Sequence, residues 1–128
     1  MSMHVLFVDD DAMNRRVVRD MLKVAGVTME EAEDGIAGLD AVEQGDFDLI
    51  LMDLRMPGMD GLTAIGHIRA RADAKAGLPI IVVTADTSID IQERCLSRGA
   101  DGFMTKPVAM KQLFELIGKQ LASKAKAS

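Results

Sequence analysis

Continuous apolar runs of strand length mark the chain at regular intervals, and polar or turn-forming residues bound each of them. Three runs are strong, at 4–8, 47–52 and 79–84, and two weaker ones lie at 27–32 and 101–105. Runs of this kind are typical of strands that are buried on both faces of a parallel sheet. The sequence therefore predicts five strands, which we number β1 to β5 in chain order.

The segments between these strands repeat their apolar residues at helical spacing. The first of them has apolar residues at steps of one and three positions: Val17, Val18, Met21, Leu22 and Ala25. Gly26 follows directly, in the position where glycine commonly ends a helix. The last segment carries a single apolar stripe: Met110, Leu113, Phe114, Ile117 and Leu121. Strands that alternate with helices form βαβ units with right-handed crossovers, so we expect an α/β fold with five helices, α1 to α5.

Composition narrows the class of protein without identifying a function. The 128 residues carry 15 Lys and Arg against 20 Asp and Glu, a formal net charge of −5, which is unfavourable for binding nucleic acid. No run approaches the roughly 20 apolar residues that span a membrane, and the first strand begins too early to follow a signal peptide. One cysteine, Cys95, allows no intrachain disulfide and suits a reducing compartment. We therefore expect a single soluble, cytoplasmic domain.

Carboxylates follow two of the predicted strands at the point where each strand ends. Asp9, Asp10 and Asp11 come directly after β1, and Asp53 comes directly after β3. In open parallel sheets, the carboxyl ends of the strands deliver functional side chains to one edge. Carboxylates that converge there repel one another unless a cation lies between them, and oxygen ligands favour a hard divalent ion. The sequence therefore predicts a magnesium site.

Residues at the ends of β4 and β5 complete a recognisable set. A Thr-Ala pair at 84–85 ends β4, a Lys-Pro pair at 106–107 ends β5, and Phe103 lies three residues before the lysine. With the acidic residues, in this order and at these strand ends, they make the chain from about 4–121 resemble the receiver domain of bacterial two-component response regulators. The resemblance implies a flavodoxin-like, doubly wound five-stranded parallel sheet of order 2-1-3-4-5, with the site at its carboxyl edge.

The resemblance assigns roles to the acidic residues. It implies that Asp53 accepts a phosphoryl group from the phosphohistidine of a histidine kinase or histidine phosphotransfer protein. It also implies that Asp10, Asp53 and the backbone carbonyl of Arg55 bind Mg²⁺ directly, whereas Asp9 acts largely through water. Asp11 lies one position further on, where aspartate is favoured as a helix cap, and we expect it to cap α1.

The resemblance also assigns roles at the ends of β4 and β5. Lys106 and the hydroxyl of Thr84 would contact phosphoryl oxygens. Thr84 and Phe103 would form a switch in which the threonine moves towards the phosphoryl group and the ring turns inward. Because Phe103 lacks the hydroxyl of tyrosine, we expect it to rest further inward than usual. We also expect a cis Lys106–Pro107 peptide bond. Read alone, these residues fit ordinary roles as a surface lysine, a β-forming threonine and a core phenylalanine.

Arg55 and Asp86 flank the mouth of the expected site by resemblance. Arg55 lies two residues beyond the predicted acceptor, and Asp86 lies two residues beyond the threonine of β4. We hypothesise that the two side chains pair across the mouth and shield the acyl phosphate from attacking water. The lifetime of the phosphoryl group would then depend on this pair.

The segment predicted as α4, residues 88–98, has apolar residues on two faces. At 100° per residue, Ile89 and Leu96 share one face, and Ile91 and Cys95 share nearly the opposite one. Only one face can rest on the sheet, so the other would be left for a docking partner. In receivers, α4-β5-α5 is the usual output face, which implies a downstream protein partner there. Two scattered exposed apolar residues are also ordinary.

The leading interpretation is a stand-alone receiver domain over 1–122 with a short flexible tail at 123–128. It would be a binding module controlled by phosphorylation rather than a conventional enzyme, because it would catalyse only its own phosphorylation and dephosphorylation. We expect a monomer. Dimerisation on phosphorylation and excision of the chain from a larger regulator are left open, although the Met-Ser-Met start favours a complete chain.

Two other interpretations compete with this one. A hydrolase of the haloacid dehalogenase type would use the Asp-x-Asp at 9–11. That family expects Thr or Val where this chain has Met13, and it expects an acidic pair downstream of Lys106 that is absent from the sequence. A pseudo-receiver would bind partners without phosphorylation, and the complete set of acidic residues, threonine and lysine counts against it.

Overall fold

A five-stranded parallel sheet forms the centre of the protein in a computed structural model that describes residues 3–127, with side chains as far as residue 122. The strands are His4–Val8 (β1), Thr28–Ala32 (β2), Leu49–Met52 (β3), Ile80–Thr84 (β4) and Gly102–Thr105 (β5). Their order is β2-β1-β3-β4-β5, and each neighbouring pair is parallel. The predicted flavodoxin-like sheet order is confirmed.

Four of the strands begin later than the apolar runs predicted, and β3 shows the reason. Its predicted range, 47–52, starts two residues before Leu49. Phe47 instead stacks its ring on that of His4, with the ring centroids 5.1 Å apart. The side chain of Asp48 accepts a hydrogen bond of 2.8 Å from the backbone N–H of His4. The apolar run therefore included an aromatic residue that packs before the strand begins.

Five α-helices alternate with the strands, as predicted. They are Ala12–Val24 (α1), Gly35–Gln44 (α2), Gly61–Arg69 (α3), Ile91–Arg98 (α4) and Met110–Ala127 (α5), with a short 3-10 turn at Ala74–Gly77. The backbone of α5 runs into the predicted tail at 123–128. The side chains of that tail, and Ser128 altogether, lie outside the described residues, so its flexibility and the boundary at 122 stay predictions. Within the described part of the chain, no helix has the length and apolar character needed to cross a membrane.

In helix α1, local sequence determines the two ends, but the predicted apolar pattern includes a residue that is exposed. Asp11 is its N-cap, with a side-chain oxygen 2.9 Å from the N–H two residues on. Gly26 lies just beyond its end with a φ of 73°, which glycine adopts without steric cost. Val18 and Leu22 are buried, but Val17 is 40% exposed. Adjacent residues are turned by about 100° on a helix, so Val17 and Val18 cannot both face the sheet.

The sheet buries apolar side chains on both faces because alternate residues of each strand point to opposite sides. One face packs under α2, α3 and α4: Leu6, Val8, Ile50, Met52, Ile80 and Val82. The other face packs under α1 and α5: Val5, Phe7, Leu49, Leu51, Ile81 and Val83. Helices cover both faces, so polar side chains from several strands can meet at the two edges where the strands begin and end.

Helix α4 starts three residues later than predicted, and this changes its exposed side. Before the helix, the side chain of Asp86 accepts a 2.9 Å hydrogen bond from the N–H two residues on, which forms a turn. The helix then begins at Ile91. Ile89 precedes the helix and is fully exposed, so the prediction that it shares a helical face with Leu96 is wrong. Ile91 and Cys95 are buried against the sheet, while Leu96 is 45% exposed.

Candidate functional site

Three carboxylates meet at the carboxyl edge of the sheet. Because β1 and β3 are neighbours, with Val8 opposite Met52, the residues that follow these strands emerge side by side. One oxygen from each of Asp9, Asp10 and Asp53 lies within 4.8 Å of the others. We call these three residues the carboxylate cluster. Asp9 and Asp53 are buried and Asp10 is exposed, so two of the three charges are held away from water.

The backbone around Asp53 is fixed by the loop that follows it. The chain returns to the sheet at Gly61, whose N–H donates to the carbonyl of Leu54 at 2.9 Å. A Cβ at Gly61 would overlap the carbonyl oxygen of Asp53, so glycine is required there. Oδ1 of Asp53 accepts from the N–H of Leu54 at 2.7 Å. Its other oxygen, Oδ2, is left facing the ammonium of Lys106.

Each polar atom of Asp9 lies close to a partner. Its N–H donates to the carbonyl of Ala32 at 3.0 Å, and its carbonyl accepts from Nη1 of Arg15 at 2.6 Å. Oδ1 accepts from the N–H of Asp11 at 2.8 Å. Oδ2 lies 2.8 Å from Nζ of Lys106, in an orientation that makes no hydrogen bond. Burial, with a smaller contribution from the neighbouring carboxylate charge, raises the pKa of Asp9 despite these contacts.

The ammonium of Lys106 lies between two carboxylates. Its Nζ is 2.8 Å from Oδ2 of Asp9 and donates to Oδ2 of Asp53 at 3.1 Å, and its side chain is 15% exposed. Burial lowers the pKa of Lys106, but the two carboxylates outweigh this effect and the pKa is raised. The lysine is therefore charged and turned into the site rather than solvated. The Lys106–Pro107 peptide bond is cis, as expected.

The donor set at this edge fits Mg²⁺. The site has three carboxylates and one ammonium, which contacts Asp9 and Asp53, so the site carries net negative charge. Among the described residues, Oδ2 of Asp9 is buried without a hydrogen bond, and Asp10 is open to solvent. Magnesium keeps several waters and takes one or two carboxylates, which matches this arrangement. The ligand set implied by the resemblance, in which Asp10, Asp53 and the backbone carbonyl of Arg55 would hold the ion and Asp9 would act through water, stays a prediction.

Thr84 and Phe103 lie on the two strands beyond β3. Thr84 ends β4 and is fully buried, and its hydroxyl oxygen accepts from the N–H of Asp86 at 3.2 Å. Phe103 lies on β5 opposite Val82. Its side chain is half-buried against the core face that α4 covers. The ring therefore contacts the core, and the expectation that it rests further inward than usual stays a prediction.

Arg55 and Asp86 form an ion pair beside the cluster. Nη2 of Arg55 lies 3.3 Å from Oδ2 of Asp86, with the arginine side chain 76% exposed and the aspartate 12% exposed. The hydroxyl and N–H of Ser88, and then Arg55, lower the pKa of Asp86. A cavity of about 450 Å³ opens next to the pair, and its lining includes Asp10, Met56, Pro57, Ile91 and Arg94. The pairing expected from the sequence is present, while its shielding role stays a hypothesis.

Sequence analysis overlooked Arg15, which reaches the cluster from α1. Its side chain is 14% exposed and bridges two groups: Nη1 donates to the carbonyl of Asp9, and Nε donates to Oε1 of Glu31 at 2.9 Å. The signal in the sequence is an arginine near the start of the helix that follows the acidic residues, with a glutamate in a later strand. Solvated surface residues give the same pattern, so the contact became visible only in the folded chain.

Comparison with known proteins identifies the family. The family model of the response regulator receiver domain matches residues 5–118. The chain belongs to this family, whose members are phosphoacceptors of two-component systems with weak autodephosphorylation. Membership sets aside the hydrolase interpretation. The family match does not assign roles to individual residues.

Curated relatives include one of similar length and others that are far longer. The chain is 34% identical to chemotaxis protein CheY-3 of Vibrio cholerae, over 92% of this chain and 91% of that protein. It is 38% identical over 90% of its length to the sensor protein GacS of Pseudomonas syringae pv. syringae, and 33% identical over 91% to histidine kinase 5 of Arabidopsis thaliana. The chain spans 13% and 15% of the length of these two kinases.

Solved structures show the same architecture. A CheY-like response regulator receiver domain protein from Methanospirillum hungatei JF-1 is 28% identical, with a TM-score of 0.91 over 100% of both chains. The receiver domain of sensor histidine kinase PA1611 from Pseudomonas aeruginosa PAO1 is 31% identical, with a TM-score of 0.84 over 93% of this chain and 97% of that one. That receiver was solved with a magnesium ion coordinated in its active site cleft.

Proposed function

We propose that this receiver domain accepts a phosphoryl group on Asp53 from the phosphohistidine of a histidine kinase or a histidine phosphotransfer protein, in a reaction that requires Mg²⁺. The observation that carries the proposal is the ammonium of Lys106, 3.1 Å from Oδ2 of Asp53 within the carboxylate cluster. An aspartate that merely opened the following turn would need neither a buried ammonium nor two further carboxylates at close range.

The proposed transfer exchanges one bond to phosphorus for another. A carboxylate oxygen of Asp53 bonds to phosphorus while the bond from phosphorus to the donor's imidazole nitrogen breaks, and the imidazole leaves neutral when its other nitrogen carries a proton. Such transfer depends mainly on positioning and on neutralising charge. Lys106 presents a compact positive charge where the phosphoryl oxygens arrive. Mg²⁺, when bound, supplies further neutralisation of those oxygens.

Thr84 and Phe103 are the proposed link between phosphorylation and output. The hydroxyl oxygen of Thr84 accepts the N–H of Asp86, which leaves its hydroxyl proton free to be donated to a phosphoryl oxygen. Movement of the threonine towards Asp53 would open space on the side of β4 that faces Phe103, and the half-buried ring can move into it. The change would alter the α4-β5-α5 face, where Leu96 is exposed, for a downstream protein partner.

The ion pair between Arg55 and Asp86 is proposed to control the lifetime of the acyl phosphate. Asp86 is held by Ser88 as well as by Arg55, so the pair has one fixed partner and one exposed partner. Replacing Asp86 with alanine should shorten the phosphoryl lifetime several-fold, because water gains access to the mouth. The decay of phosphorylated protein, followed by intact mass, checks this. An unchanged lifetime would remove the shielding role.

Phosphorylation of the purified chain tests the main proposal. The protein is incubated with acetyl phosphate, with and without Mg²⁺, alongside the Asp53→Ala variant, and its intact mass is measured. We expect a gain of one phosphoryl group that requires Mg²⁺ and is lost in the variant. No gain in repeated, rapidly quenched samples would favour the pseudo-receiver. A gain that survives in Asp53→Ala would place the acceptor elsewhere.

The relatives of the chain support a proposal about its partners. The kinase relatives support exchange with histidine kinases or phosphotransfer proteins. Action as a stand-alone receiver stays a prediction. The monomeric state, dimerisation on phosphorylation, the lack of nucleic-acid or membrane partners and a cytoplasmic location remain predictions.

A further inference from the structure

Arg15 connects the carboxylate cluster to the edge strand of the sheet. It lies on α1, and its guanidinium spans from the carbonyl of Asp9 to a carboxylate oxygen of Glu31 on β2, at 2.6 and 2.9 Å. The other carboxylate oxygen of Glu31 accepts from Nε of Arg19 at 3.0 Å. The arginine is mostly buried, with 14% of its side chain exposed. It is therefore held in one position from both ends.

We propose that Arg15, tethered by Glu31, is a positioning residue that fixes the peptide between Asp9 and Asp10 and thereby sets the affinity of the cluster for Mg²⁺. The inference rests on the proposed function of this site. It goes beyond that function because, among the described contacts, Arg15 and Glu31 touch neither the predicted acceptor nor a carboxylate oxygen of the cluster.

Arg15 can influence Mg²⁺ affinity because of the way in which the Asp10 carboxylate is held. Its carboxylate is exposed and, among the described residues, it accepts no hydrogen bond and forms no ion pair, so its direction depends on its backbone. The carbonyl of Asp9 belongs to the planar peptide group that continues into Asp10. A hydrogen bond from Arg15 to that carbonyl fixes the plane and hence the direction of the Asp10 side chain.

Fixing the peptide between Asp9 and Asp10 while bonded to Glu31 requires the geometry of an arginine side chain. Its planar fork donates from Nε to one acceptor and from Nη1 to another at the same time, whereas the single ammonium of lysine cannot span both. Burial raises the pKa of Glu31, but its bonds to Arg19 and Arg15 outweigh this and lower it. Glu31 is therefore ionised at neutral pH and anchors the guanidinium.

A positioning role and a purely electrostatic role of Arg15 predict opposite changes in the affinity for Mg²⁺. Arg15 is a positive charge near a cation site, so its removal would strengthen Mg²⁺ binding if charge alone mattered. If Arg15 positions Asp10, its removal weakens binding. The charge-conserving variants Arg15→Lys and Glu31→Asp isolate the positioning effect, because both keep the charge and lose the fit between the guanidinium and its two acceptors.

Isothermal titration calorimetry with MgCl₂ on the whole unphosphorylated protein tests this directly. We expect the Kd for Mg²⁺ to rise about tenfold in Arg15→Lys and Arg15→Ala, the lower end of the range seen when residues behind metal ligands are altered. In Glu31→Asp we expect a smaller rise of about threefold, because Arg15 itself is kept and only its tether is altered. Arg19→Lys is the matched control, since Arg19 also binds Glu31 but does not reach Asp9, and its Kd should stay within about twofold of wild type.

Thermal unfolding without Mg²⁺ separates positioning from folding, because a variant that is folded and still binds weakly has lost position rather than structure. Wild-type affinity in both Arg15→Lys and Glu31→Asp would overturn the inference, as would tighter binding by Arg15→Ala. If wild type itself binds no Mg²⁺, the proposed function fails and the inference fails with it. If wild type binds Mg²⁺ and is phosphorylated while Arg15→Lys and Glu31→Asp both behave as wild type does, the inference alone fails.

Discussion

The two edges of the sheet use charged side chains in opposite ways. At the amino edge, two carboxylates are matched to donors: Asp48 accepts from the N–H of His4, and Asp101 accepts from the N–H of Ile80 at 2.9 Å and from Arg69 at 2.8 Å. At the carboxyl edge, the carboxylate cluster shares one ammonium and keeps one buried oxygen without a hydrogen bond. The amino edge stabilises the fold, and the carboxyl edge leaves charge for a ligand to neutralise.

Arg69 shows how completely the amino edge is satisfied. Besides its bond to Asp101, its guanidinium donates to three backbone carbonyls, those of Gly99, Ala76 and Leu78, at 2.7 to 2.9 Å. These carbonyls belong to the loop before β4 and the loop before β5. One side chain at the end of α3 therefore joins the connection before β4 to the connection before β5.

Removal of Arg69 should have the largest effect on stability. We expect Arg69→Ala to lower the free energy of unfolding by about 3 kcal/mol, because partly buried carbonyls lose their donor and Asp101 loses its ion pair. Urea unfolding measures this, and Mg²⁺ affinity should stay within about twofold of wild type. Arg71→Ala is the control, since Arg71 bonds only to the exposed side chain of Asp73 in this structure and should change stability far less. Equal losses in both variants would contradict the role given to Arg69.

Removal of a charge at the opposite edge should stabilise the protein. We expect Asp9→Asn to raise the free energy of unfolding in the absence of Mg²⁺ by about 1 kcal/mol, because burial disfavours the carboxylate and asparagine can still accept from the N–H of Asp11. The same variant should bind Mg²⁺ more weakly. A loss of stability without Mg²⁺ would show that the contact with Lys106 outweighs burial.

The difference in the free energy of unfolding between Asp9→Asn and wild type should depend on pH, because the pKa of Asp9 is raised. The pKa of Asp9 in the folded protein lies above its ordinary value of 3.8, so protonation of Asp9 favours the folded state. The advantage of Asp9→Asn over wild type should be complete above the folded-state pKa and should disappear as the pH falls below the unfolded-state value. Unfolding of both proteins in urea from about pH 7 down to about pH 3 measures the change. A constant difference over that range would mean that charge is not its source.

Removal of the Asp48 side chain at the amino edge should destabilise the protein less than removal of the Arg69 side chain. Asp48→Ala removes the acceptor of the His4 N–H and should lower the free energy of unfolding by about 1 kcal/mol, while Asp48→Asn keeps an acceptor and should lose less. Thermal or urea unfolding of the pair checks both values. If the two variants were equally destabilised, the ionic charge of Asp48 rather than its hydrogen bond would be responsible.

The candidate site could be predicted from the sequence because its residues follow strands. Asp9, Asp10 and Asp53 each follow an apolar run, and parallel strands place such residues at one edge whatever the connecting loops do. The cap at Asp11 and the stop at Gly26 were also correct, since both depend on chemistry within a few residues. Local periodicity and order along the chain therefore determined the fold class and the cluster.

Only the tertiary structure decided which of several equivalent surface residues touch the site. Arg15 and Arg16 are neighbours in the sequence, yet the turn of α1 and its packing on the sheet bring Arg15 to the carbonyl of Asp9 and leave Arg16 exposed. The exposure of Val17 and the half-buried position of Phe103 were likewise set by packing. These features depend on contacts between residues distant in the sequence, whose geometry follows from the relative positions of whole helices and strands rather than from local pattern.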